Sequence, residues 1–311
     1  GRGVIIIDDI SPLRQLTAEI VAKPLHFMET PTFIMEEEST FGGASSEVQF
    51  VGSNPPSGAR IAYYMSKRHT FGKMKMHIED MEGNLMASMA PGKSKGINIV
   101  SWQYSTMAPI IASGTSFTQG GFGPRALAGD YKVIIQKGKE KFETIISIAY
   151  PNNSVFTAND RVEQQSVTKK LYDMNEKLAY IVYEIDEAIK QAEKTMKSTP
   201  KLKKQALKLL AEVNSLKSTL VITEGDNYVS RGENQLREDL GEIYSTIASY
   251  YGAPSKSQME NVALIKSRLD DGAKSWEVIK STQLAKYITA MGKYDLTYPD
   301  LKTYEEFVKK K

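Results

Sequence analysis

Apolar positions along the chain follow two different periods. In residues 1 to 160 they fall in short runs that alternate or are wholly apolar, and after residue 160 they recur every three or four residues. The first pattern predicts strands and the second predicts helices. Val4-Ile5-Ile6-Ile7 is an unbroken β-branched run closed by Asp8-Asp9, the pattern of a strand buried on both faces. Ser11 and Pro12 fit the N-cap and first position of a short helix. Leu25-His26-Phe27-Met28, bracketed by Pro24 and Pro31, reads as an extended linker. Further strands are expected at Ala59 to Met65, Lys75 to Asp80, Leu85 to Met89, Gly96 to Trp102, Gly129 to Ile135 and Lys141 to Ile148. Hairpin turns fall at Met81 to Asn84 and Gln136 to Lys139. About seven short strands in about a hundred residues fit an immunoglobulin-like antiparallel β-sandwich.

Beyond Asp160 the apolar residues form heptads. Val167, Leu171, Met174, Leu178, Ile181, Ile185, Ala188 and Ala192 make one stripe, and Leu202, Ala206, Leu209, Val213, Leu216 and Leu220 a second. Leu236, Leu240, Ile243, Ile247 and Tyr250 make a third. Val262, Ile265, Leu269, Trp276, Ile279 and Tyr287 make a fourth, less regular one. Pro200 marks the start of the second helix, and Gly252 with Pro254 the stop of the third. Four amphipathic helices with short breaks predict an antiparallel four-helix bundle. The expected organisation is an exit strand and linker over 1–30, the sandwich over 31–158 and the helical bundle over 159–311.

Composition supports the division: residues 1 to 160 hold 16 of the 22 Gly and 9 of the 12 Pro, while the remainder holds 47 of the 77 charges. With 40 basic and 37 acidic side chains the net charge is only +3, too small a field to recruit a phosphate backbone, so nucleic acid is not an expected partner. No apolar run is long enough to span a bilayer. Cysteine is absent, which excludes disulfides, thiolate metal sites and a cysteine nucleophile. The chain opens Gly-Arg-Gly-Val without an initiator Met, which we read as a trimmed protein or a fragment.

Candidate chemistry is sparse. Asp8 and Asp9, with Arg14 nearby, are a possible carboxylate pair, although an Asp pair after a buried strand more often caps the next turn. Glu36-Glu37-Glu38 reads as a solvated loop. His26, His69 and His77 have no metal-ligand spacing, and the Thr223 to Tyr228 loop lacks the twelve-residue calcium pattern. No cofactor is expected. The segment Ser113 to Ala128, SGTSFTQGGFGPRALA, lacks the spacing of a phosphate loop and reads as a mobile surface loop. If the sandwich binds anything, Phe117, Phe122 and Arg125 are the contact residues that this loop offers. Trp102 reads as core, Tyr63 and Tyr64 point to opposite faces so that at most one is buried, and Lys201-Leu202-Lys203-Lys204 reads as the wet face of a helix.

The opening GRGVIIIDDISPLRQL resembles the closing strand and exit segment of the sortilin-like, BNR-repeat β-propeller proteins of bacteria, labelled glycosyl hydrolase or sialidase-like. The D-x-x-G-N turn, G-x-N-x-x-x-W strand and G-x-Y-x-V strand that follow in that family are matched by Asp80 to Asn84, Gly96 to Trp102 and Gly129 to Val133. The propeller itself and its Asp-box are missing, so no catalytic residue of the family carries over. The resemblance implies a remnant propeller strand ahead of the sandwich and bundle. It also implies a non-catalytic scaffold at the C-terminus of a larger periplasmic, outer-membrane-associated or secreted protein. Asp8, Asp9 and Arg14 would then contact the upstream propeller, the expected partner. Another protein chain, a glycan or a peptide are the others. The alternative is part of a glycoside hydrolase whose active site lies in that propeller.

Overall fold

The computed structural model describes residues 9–37, 58–225 and 233–309. The expected strand Val4 to Ile7, with Asp8, Glu38 and residues 226–228 of the acidic loop, lies outside the described residues. The chain divides into a β unit, Gly1–Met107 with Pro124–Thr157, and a helical unit, Ala108–Gly123 with Ala158–Lys311.

The described part of the β unit begins with two short helices, α1 (Ser11–Arg14) and α2 (Ala18–Ala22). Ser11 is the first helical residue of α1 rather than its cap, because Asp9 Oδ1 accepts from Ser11 N at 2.8 Å and closes the turn one step earlier. Thr17 caps α2, its side chain accepting from Ile20 N. Among the described residues eight strands follow: β1 (Leu25–Phe27), β2 (Phe33–Ile34), β3 (Ala59–Met65), β4 (Met74–Glu79), β5 (Leu85–Met89), β6 (Gly96–Trp102), β7 (Gly129–Lys137) and β8 (Glu140–Ala149). One sheet has the order β1-β3-β6 and the other β2-β8-β7-β4-β5. All pairings are antiparallel except β2 with β8.

Alternation sets what is buried. Ile61, Tyr63 and Met65 of β3 and Trp102 of β6 share one core with Met74, Met76 and Ile78 of β4, Tyr131, Val133 and Ile135 of β7, and Ile146 and Ile148 of β8. Trp102 donates its indole N–H to Ser105 O at 2.8 Å and meets the Tyr131 ring edge-on at 5.1 Å, so it is core as expected. At the turn after β4, Gly83 has φ +89 and Asp80 Oδ1 accepts from Asn84 N at 2.7 Å, the hairpin that the sequence predicts.

Two readings of this unit need correction. Leu25 to Phe27 is extended but not a free linker: its residues pair with Tyr63 to Met65. Tyr63 and Tyr64 are both buried, at 0% and 7% exposure. Tyr64 points to the outer face of its sheet, where Leu16, Ile20 and Met28 cover it together with Ala62. A strand buried on both faces gives no sign in its own sequence of the element that provides the second cover.

In the helical unit, α3 (Ala158–Ser198) is the central element and packs against α4 (Lys203–Leu220), α5 (Leu236–Ser249) and α6 (Lys256–Ile279). A 3-10 turn, Pro200–Leu202, leads into α4. After α6 a π turn, Lys280–Leu284, continues into α7 (Ala285–Gly292), and a short α8 (Tyr304–Val308) follows. The π turn accounts for the irregular fourth stripe. Buried positions in that helix run Leu269, Trp276, Ile279, then Leu284, Tyr287 and Met291, with one step of five where the turn widens to i→i+5. Ser255 and Gln258 form the capping box that starts α6. The Leu171, Leu178, Ile185, Leu209, Leu240, Ile265 and Trp276 side chains belong to one continuous core. No helix among the described residues is long and apolar enough to cross a membrane.

Candidate functional site

The most unusual stretch of the molecule is residues 108–123, which fall between β6 and β7 in sequence and yet belong to the helical unit. We call it the strap. Polar contacts tie it down along its length. At its start Ile110 N donates to Glu176 Oε1 at 3.4 Å, and burial pushes the Glu176 carboxyl above its ordinary value. Ser113 Oγ donates to Asp186 Oδ2 at 2.7 Å. Thr115 donates both N–H and Oγ1 to Ile222 O, at 3.2 and 3.0 Å. Tyr244 OH donates to Phe122 O at 2.7 Å near the far end, and burial pushes that phenol well above its ordinary value.

The central tie is ionic. Arg237 and Glu238, consecutive in the first turn of α5, have side chains only 8% and 6% exposed and meet at 2.7 Å. Arg237 Nη1 and Nη2 each donate to Ser116 O at 3.1 Å, and Ser116 Oγ donates to Glu238 Oε1 at 2.9 Å. Glu238 Oε2 accepts from Gln235 N at 3.3 Å, closing the helix start. A buried pair of this kind depends on partners for its remaining lone pairs and protons: Ser116 O takes both guanidinium Nη groups, and Ser116 Oγ and Gln235 N serve the carboxylate, while Arg237 Nε has no hydrogen-bond partner among the described residues.

Glycines let the strap lie this close. A Cβ on Gly114 would stand 2.4 Å from Arg237 Nη1, and one on Gly241 in the middle of α5 would stand 2.5 Å from Thr118 Oγ1 and 2.7 Å from Gln119 O. Gly120 takes φ +88, a region that disfavours any side chain. The glycine content that sequence reading weighs as a mobile loop therefore serves close backbone approach.

Against this background Phe117 stands out at 76% exposure, flanked by buried Ser116 and by Thr118. Phe122 is 39% exposed and leans on Tyr244 with ring centroids 5.5 Å apart. Arg125 falls in the β unit, where it bridges Ser105. Of the three expected contact residues, then, two belong to the strap and one to the other unit. Beside the strap, Ser113, Thr115, Asp186, Lys190, Lys217 and Ile222 line a cleft of about 420 Å³. Both Asp186 oxygens are engaged there, one by Ser113 and one by Lys217 Nζ at 2.6 Å.

The other expected residues lie apart. Asp9 is exposed, and the Ser11 N–H it accepts holds its carboxyl below the usual range. Arg14 is exposed in the last turn of α1 and forms no ion pair with Asp9. His26 is held below its ordinary value by burial, His69 Nε2 lies 3.2 Å from Gly72 O, and His77 lies 3.3 Å from Glu79. Among the described residues no three His, Asp or Glu side chains are grouped to hold a metal ion.

Sequence reading missed Ser116, Arg237, Glu238 and Gly241. One signal was present: an isolated glycine within a helical stripe costs about 1 kcal/mol against alanine and asks for a packing reason. No model of a known protein family matches the chain, and no curated protein sequence matches it.

Proposed function

We propose that this chain is a protein-binding scaffold in which the strap presents Phe117 to a partner chain. The observation that carries the reading is the contrast at residues 116 to 118. A phenylalanine 76% exposed to solvent follows a serine 7% exposed that is gripped by a buried ion pair. An aromatic ring on a backbone already fixed loses little freedom on binding, which is the property of an interface anchor.

Within this reading the β unit is an immunoglobulin-like sandwich and the helical unit an antiparallel four-helix bundle. Two features support the sandwich. The strand order sets β3 beside β6 in one sheet and β4 beside β7 in the other. Tyr131, near the start of β7, donates its OH to Leu127 O at 2.8 Å in the manner of a tyrosine corner. The heptads of α3 to α6 support the bundle. The resemblance of residues 1–16 supports a place beside a β-propeller in a larger periplasmic or secreted bacterial protein.

The test is a photo-crosslinking residue placed at Phe117 of the full-length protein in its native cell, against the same residue at Lys139 in the β7–β8 turn. We expect a discrete adduct with one partner at 117 and none at 139. No adduct at 117, or the same adducts at both sites, would refute the scaffold reading.

A further inference from the structure

We propose that the face of the helical unit formed by the α3–α4 corner and the outer side of α4 is a docking surface for a membrane bearing anionic headgroups. The proposal begins with charge segregation. Residues 194–211 carry six lysines and no carboxylate, a local +6 in a chain whose net charge is +3. Lys194, Lys197, Lys201, Lys203, Lys204 and Lys208 are all exposed, and none pairs with a carboxylate among the described residues. Elsewhere in the same unit several lysines are matched: Lys177 and Lys266 with Asp270, Lys190 with Glu187, Lys217 with Asp186, and Lys280 with Glu184 and Glu277. Lys170, Lys286, Lys293, Lys302 and Lys309 pair with no carboxylate among the described residues either, but they are spread along the unit, whereas six such lysines fall within residues 194–208.

The second observation is apolar. Leu202, Ala206, Leu209 and Val213 turn α4 toward the core, which leaves Lys204, Leu207, Lys208 and Ala211 on the opposite side. Leu207 is 49% exposed in the middle of the lysines. Pro200, Lys201, Lys203, Lys204, Leu207, Lys208 and Ala211 line one shallow trough of about 630 Å³. Lys203 and Lys204 also open α4, whose first turn holds no acidic residue and where the helix dipole disfavours positive charge. An external anion relieves that repulsion.

Charge alone fits any polyanion, and the apolar strip with its residue type decides between them. The cations are all lysines, flexible point charges whose stems lie along an apolar surface while their ammonium groups reach outward. An exposed leucine between such lysines matches the boundary of headgroup and acyl chain, into which a basic amphipathic helix buries its apolar residues. A soluble polyanion makes no use of Leu207.

The experiment is co-sedimentation of the whole chain with vesicles of phosphatidylcholine alone, or with phosphatidylglycerol added. We expect binding to the anionic vesicles, weakened by salt, and none to the neutral ones. Each lysine near such a surface is worth about fivefold in partitioning, so Lys201→Gln/Lys204→Gln/Lys208→Gln together remove roughly a hundredfold. Leu207→Ser, which keeps the charge, reduces binding severalfold. Circular dichroism of each variant establishes that it is folded. Equal binding to neutral vesicles, or lysine variants that bind as the parent does, overturns the proposal. So does a Leu207→Ser variant unchanged while inorganic polyphosphate binds the chain as tightly as vesicles do, because the face is then a site for a soluble polyanion.

Discussion

Replacing Gly241 by alanine opposes two effects of known sign. In the interior of an α-helix the change favours the helix by about 1 kcal/mol. Here the new Cβ would stand 2.5 Å from Thr118 Oγ1 and 2.7 Å from the Gln119 carbonyl oxygen, both inside normal contact. Thr118 can rotate, but Gln119 offers backbone, and its neighbour Gly120 already lies 3.4 Å from Gly241 O if given a Cβ of its own. The strap must shift by roughly half an ångström, and overpacking of this kind costs about 1–3 kcal/mol. The net expectation is a loss of up to about 2 kcal/mol despite the gain in helix propensity. Two other helical glycines calibrate the result. Gly272→Ala meets only the Leu220 Cδ2 methyl at 2.8 Å, the movable end of a side chain, and should be neutral to within about 1 kcal/mol. Gly292→Ala, with no atom within 4 Å, should be neutral or stabilising by a few tenths, roughly. Urea unfolding followed by far-UV ellipticity orders the three. A Gly241→Ala protein more stable than the parent by the full propensity increment would show that the strap does not lie against α5.

Three further outcomes follow from the same geometry. Arg237→Ala leaves the buried Glu238 without its counter-ion and should destabilise by about 3–5 kcal/mol, whereas Arg237→Met with Glu238→Leu should lose much less, both read by denaturant titration. Asp270, held between Lys177 and Lys266, has its carboxyl lowered from 3.8 to about 2 by these hydrogen bonds. The folded value is depressed, so its contribution is complete above pH 3.8 and is lost as pH falls toward 2. Asp270→Asn should accordingly flatten the decline of the unfolding midpoint across that window, and an unchanged decline would count against the pairing. Tyr131→Phe removes the bond to Leu127 O and should cost about 0.5–1.5 kcal/mol in thermal or urea unfolding, with the Trp102 contact retained.

What the sequence made legible is what short-range periodicity encodes. β3, β5 and β6 fall on the residues expected, and β7 and β8 extend their runs by one or two. The four helical stripes appear as core positions of α3 to α7 and of the turn before α4, except that Leu216 is half-buried and Tyr250, just past the end of α5, is 48% exposed. Partnership at long range was not legible. Ser116 meets Arg237 across 121 residues, and no local pattern says that a glycine-rich segment between two strands will be bound by helices made later. Tyr64 was misjudged for the same reason: its cover, Leu16 and Ile20, comes from another part of the chain. The lysines of 194–211 were visible one by one, but the near-balance of the whole chain concealed their concentration.

The strap also orders events in time. Synthesis runs from the N-terminus, so Ser116 emerges 121 residues before the arginine that holds it. The strands on either side of the strap can pair while its own polar groups are still hydrated, and it must wait as an open loop until α5 has been made. The helical unit is thus completed by a segment older than any of its long helices. Division of the chain at the Thr157–Ala158 boundary would leave that segment on the first fragment. Two polypeptides made separately from that cut would reassociate by fragment complementation, the loop of one supplying what the helices of the other lack.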